Sequence, residues 1–171
     1  MTFDASRPSG PDSSIDSEVC GGISVCSLGG AERFLVWALR WESSLHEDPD
    51  CANECLQESF ERAGMADVLP VFRAFVSAVH GSRAPCSPAS RLGCWKVNAF
   101  EATTLHAVAC LQEGHFGESW RALCAMAPTK GAAGAMLALG EVAEALSRIG
   151  GCIRRWPVIS RSMSMSTGSG E

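Results

Sequence analysis

No stretch of this chain is long and apolar enough to span a bilayer, which argues against a helical membrane protein. The first thirty residues contain Asp4, Asp12, Asp16 and Glu18 and no continuous apolar segment, so they do not read as a secretory signal. Charge is scarce, at 19% of residues, and a net charge of -5 argues against bulk nucleic-acid binding. There is no Gly-rich phosphate loop, no pair of catalytic carboxylates, no serine elbow and no His-Glu-x-x-His pattern. These absences remove the common enzyme classes and tilt the reading away from an enzyme. Tyrosine is also missing, with no evident physical consequence.

What is present is apolar and helical in rhythm. Hydrophobic residues make up 46% of 171, enough for one domain with a single core. Nine cysteines, an odd number without an export signal, read as mostly reduced thiols in a cytoplasmic protein. Residues 1–30 are rich in Ser, Pro, Gly and Asp and read as a disordered leader. Residues 31–150 carry the periodic pattern of a single helical domain, and residues 151–171 read as a flexible tail.

The densest apolar segment is Ala31–His46, taken as the central helix. At helical spacing Phe34, Trp37, Ala38, Trp41 and Leu45 share a stripe about 100° wide, with Leu35 and Leu39 beside it. Val36 falls almost opposite, and Glu32, Arg33, Arg40 and Ser43 share the polar strip. A second helix begins near Asp48-Pro49 and ends at Gly64, with Leu56 and Phe60 inward. A third spans about residues 68–80, capped by Asp67, with Phe72, Phe75 and Val79 inward. Short links favour antiparallel neighbours among these three. Asn98 and Glu101 form a capping box for a fourth helix. A fifth spans about residues 117–127 with Trp120, Leu123 and Cys124 inward. Pro128–Gly131 breaks the chain before a last helix at 132–149, whose Ala and Gly residues would permit close approach to a neighbour. The expected fold is therefore all-α, a compact bundle of about six helices with disordered ends.

The segment ACLQEGHFGESWRAL resembles a tetratricopeptide-type helical hairpin over about fifteen residues. No second copy occurs at a period of about 34 residues, so a repeat protein is not indicated.

Chemistry is sparse. Cys51 and Cys55 lie one helical turn apart, and Cys86 and Cys94 on a long loop would complete four sulfurs for zinc or an iron–sulfur cluster if that loop folded back. His106 and Cys110, with Glu113 beyond, suggest a nucleophile on one helix edge, but such an edge offers neither a concave site nor a separate element to orient the histidine. The loop at 81–97 has no acid and carries Arg83, Arg91 and Lys96 beside Trp95, a pattern suited to phosphate, single-stranded nucleic acid or an acidic protein surface. Arg154–Arg161 with Trp156 would suit an anionic membrane or a partner. The expected role is a cytoplasmic protein-binding or regulatory module, with a cysteine-based metal or redox protein as the competing class. The partner is expected to be another protein, and a second copy of the chain could cover an over-apolar helix equally well.

Overall fold

The computed structural model describes residues 23–45, 49–80, 89–127 and 129–156. They form six α-helices: α1 (Gly30–Ser44), α2 (Pro49–Arg62), α3 (Leu69–His80), α4 (Ala99–Gln112), α5 (Phe116–Met126) and α6 (Thr129–Arg148). Two 3-10 turns precede α1 and α3. The fold is the all-α bundle that the periodicity implied. No described helix is long and apolar enough to cross a membrane.

Local chemistry sets the ends. Pro49 opens α2, where its missing N–H is no loss. The capping box of α4 is complete: the Asn98 side chain accepts from Glu101 N–H at 2.9 Å, and Glu101 accepts from Asn98 N–H at 3.0 Å. Gly114 has a φ of +78°, which lets the chain reverse tightly into α5. Around it His115 N–H donates to the Cys110 carbonyl at 2.7 Å. Asp67 does not cap α3 as expected; it lies in the 3-10 turn Ala66–Val68, one turn earlier. Helix α6 begins at Thr129, so Gly131 is part of the helix and not of a break.

The pairing of helices departs from a simple up-down series. α3 packs most extensively on α6, α4 lies between α5 and α6, and α1 rests on α2 and on α4. Leu35, Leu39, Leu56, Phe60, Phe72, Phe75, Leu105, Leu123, Leu139 and Leu146 fill the core. The Phe60 and Phe72 rings meet at 5.5 Å, and each buried phenylalanine contributes about 1.5–3 kcal/mol. The close approach expected of the last helix is real. A Cβ on Gly131 would sit 2.3 Å from the Ala78 carbonyl oxygen of α3.

α4, and not α1, is the helix enclosed on most sides: Glu101, Ala102, Thr104, Leu105, Ala107, Val108, Ala109 and Cys110 are all buried. Its small side chains let three helices close around it, which a helix carrying two tryptophans does not allow. On α1 the inward side is Leu35, Val36, Ala38 and Leu39, together with Glu32 and Arg40. Trp37 and Trp41 are only half-buried at its edge, their rings 5.9 Å apart. The expected polar strip is thus partly inside and the expected tryptophan stripe partly outside. On α5 the inward residues are Ser119, Ala122 and Leu123, while Trp120 is 40% exposed and Cys124 is exposed. The phase is shifted because small residues face the tight contact with α4 and the large ring is left outside.

The described ends belong to the bundle. Val25 N–H donates to the Trp95 carbonyl at 2.8 Å and Val97 N–H to the Ile23 carbonyl at 3.0 Å. Residues 151–156, expected to open a flexible tail, form a strap across α1 and α4. Ile153 is buried, its N–H donates to Gln112 Oε1 at 2.9 Å, and Gln112 Nε2 donates to the Gly151 carbonyl at 2.8 Å. Most of the expected leader, and the expected tail from residue 157 onward, lie outside the described residues.

Candidate functional site

Two places gather chemistry on this scaffold. The first is a knuckle at residues 94–97, held from beneath by Arg40. Arg40 forms a bidentate ion pair with Glu101, Nε to Oε1 at 2.8 Å and Nη2 to Oε2 at 2.9 Å. The same guanidinium donates to the carbonyls of Cys94 and Lys96, the latter at 2.7 Å. Glu101 also accepts from Ser90 N–H at 2.9 Å. Burial pulls the Arg40 pKa down, but the hydrogen bonds and charge of Glu101 outweigh it and raise it above its ordinary value. Above this buried clamp Trp95 is 63% exposed, and Lys96 Nζ lies 4.7 Å from its ring centroid, a cation–π contact. Arg91 is exposed on the same connection. The exposed ring thus stands on a backbone whose carbonyls are held by a buried ion pair.

The second place lies where α4, α5 and the strap converge. His106 Nδ1 is 2.7 Å from the Trp156 carbonyl oxygen, an acceptor, so Nδ1 is the nitrogen that donates there and Nε2 is turned toward Cys110. That Nε2 lies 3.5 Å from the Cys110 sulfur. Cys110 Sγ also faces Glu118 Oε2 at 3.9 Å. Arg155 covers the group, pairing with Glu113 at 2.5 Å and Glu118 at 3.2 Å, and His115 Nδ1 lies 3.5 Å from Glu113. Burial pushes the Cys110 thiol pKa up; Arg155 opposes this, and the carboxylates of Glu118 and Glu113 add to it. A thiol held protonated is a poor resting nucleophile. The expected single-edge arrangement is corrected here: the histidine is oriented by the strap, and the acid beside the sulfur is Glu118 of α5. Glu113 instead pairs with Arg155.

The other expected ligands are dispersed. Cys51 is exposed and Cys55 half-buried on α2, and Cys94 sits in the knuckle. Cys86 and Arg83 lie outside the described residues. Among the described residues no third ligand gathers with Cys51 and Cys55, or two with Cys94, whereas His106, Cys110 and Glu118 bring one donor atom each to within 4.8 Å of one another. Arg154, placed in the tail by its sequence, pairs with buried Glu32 at 3.0 Å.

Sequence reasoning missed Glu118, Arg155 and the Arg40–Glu101 clamp. Glu101 carried a signal, but one that its capping role fully explained. The others are brought together only by packing. No family model, curated protein or solved structure matches the chain.

Proposed function

We propose that the protein is a non-catalytic binding module whose Trp95 knuckle engages an acidic surface of a protein partner. The observation that carries this reading is the buttressed exposure of Trp95. An exposed indole is the side-chain chemistry enriched at interaction hot spots, and Lys96 over its ring with exposed Arg91 four residues earlier supplies positive charge. Its backbone is fixed by a buried ion pair and by two hydrogen bonds to residues 23–25, so little ordering remains to be done on binding. The local cations stand out on a chain whose net charge is -5, which favours an acidic partner.

A photoreactive amino acid at position 95 tests this in living cells. A discrete heterologous adduct is expected, suppressed by Arg91→Glu with Lys96→Glu and absent when the probe is moved to position 58 on the outer face of α2. Identical adducts from both positions, or adducts indifferent to the charge reversal, would overturn it. An adduct of the chain with itself would replace the partner by a second copy.

A further inference from the structure

We propose that His106, Cys110 and Glu118 form an exchangeable site for a divalent ion of the zinc class, with Arg155 as the resident cation that the ion displaces. The donor set is one imidazole, one thiol and one carboxylate, each a common zinc ligand. They come from two helices that meet at the Gly114 turn. Bonds of about 2.0–2.3 Å to a tetrahedral ion place ligand atoms about 3.3–3.8 Å apart. The nitrogen–sulfur separation is 3.5 Å, the sulfur–oxygen separation is 3.9 Å and all three donors lie within 4.8 Å of one another, so His106 and Cys110 already stand at ligand spacing and the Glu118 carboxylate closes on them by a side-chain rotation.

The second layer is in place as well. A histidine that binds a metal through one nitrogen donates the other N–H to a fixed acceptor, which sets tautomer and ring plane. Here the Trp156 carbonyl does so at 2.7 Å, and Trp156 is itself held by its indole N–H on Glu32 Oε1 at 3.2 Å. Three protein donors leave a fourth position for water, the pattern of open sites and not of closed structural ones. On binding, the thiol proton is released to solvent and a sulfur–metal bond forms, with no change of oxidation state.

Arg155 sets the competition. Its guanidinium occupies Glu118 and places a positive charge beside the sulfur, while Glu113 and His115 line the outer edge. Removing that charge should therefore tighten metal binding, the opposite of the effect expected if the cluster only holds α4, α5 and the strap together.

Titration of the reduced full-length chain with Co²⁺ reads the site. One equivalent should give a thiolate-to-cobalt charge-transfer band with tetrahedral ligand-field bands, and Zn²⁺ should bleach both. Cys110→Ala should abolish the charge-transfer band, while Cys51→Ala, Cys55→Ala and Cys124→Ala retain it. Glu118→Gln, which exchanges a half-buried side chain without changing its shape, should weaken binding at least roughly tenfold while keeping the band. Arg155→Gln should strengthen it by roughly threefold or more. Absence of the band in the parent chain, its loss in Cys51→Ala in place of Cys110→Ala, or unchanged or weaker binding in Arg155→Gln would overturn the proposal. The site does not depend on the Trp95 surface, so metal binding without partner adducts, or the reverse, sinks only one of the two readings.

Discussion

Replacing Arg40 tests the clamp on which the knuckle depends. Arg40→Met keeps much of the aliphatic stem and removes the guanidinium. Among the described residues Glu101 then retains the Ser90 and Asn98 N–H donors, and the Cys94 and Lys96 carbonyls lose their shared partner. Both side chains of the pair are almost wholly withdrawn from water, at 6% and 0% exposure. Removing one member of such a pair leaves an uncompensated buried charge and costs about 3–5 kcal/mol. For a chain of this size that lowers the melting temperature by roughly 6–20 °C. Arg40→Lys keeps the charge but cannot reach four acceptors with one ammonium, so its loss should be about half as large. The comparison is Arg62→Ala, which breaks an exposed i,i+4 pair with Glu58 and should cost no more than about 0.5 kcal/mol. Urea unfolding gives the energies, and hydrogen exchange at the Val97 amide reports on the knuckle itself. A loss below about 1 kcal/mol for Arg40→Met would refute the reasoning, because it would mean that water reaches the pair.

Two further outcomes follow from the geometry. Gly131→Ala should destabilise by about 1–3 kcal/mol, because the added methyl meets the Ala78 backbone, whereas Gly134→Ala and Gly140→Ala meet nothing within 4 Å and should stabilise by about 0.5–1 kcal/mol. Thermal melts that rank all three alike would contradict the close α3–α6 contact. Glu32 is buried, and burial pushes its carboxyl pKa up, but hydrogen bonds from Arg154 and from Gly29 N–H outweigh this and hold it below the ordinary 4.5. A depressed folded-state pKa adds stability that is complete above about 4.5 and is lost as pH falls through the folded value. Glu32→Gln should therefore be less stable at neutral pH and show a flatter acid limb below about pH 4.5 in a pH series of urea melts.

Much of the local plan was legible. Pro49, Gly64 and the Asn98–Glu101 box mark helix ends by chemistry that acts within a few residues. The inward positions of Leu56, Phe60, Phe72, Phe75 and Val79 followed from periodicity. The tryptophans misled because helical spacing says which residues share a face but not how much room the neighbouring helix leaves for them. Trp120 is too large for the narrow contact with α4, and Ser119 and Ala122 take its place. Of the candidate site, His106 and Cys110 could be paired from their spacing, but the acid that joins them could not, since Glu113 and Glu118 are equally plausible until α5 is placed.

The sequence by itself determined that the chain is helical, roughly where each helix begins and ends, and which large aliphatic and phenylalanine side chains form the core. Caps, turns and amphipathic period are properties of a few consecutive residues. Only the tertiary structure decided which helix is central, that Arg40 and Glu32 lie inside, and that His106, Cys110 and Glu118 meet beneath Arg155. Burial of a charge requires a partner, and the partners here stand 61 and 122 residues away along the chain. Such pairs exist only after small side chains have let the helices close upon one another, and no local pattern records that.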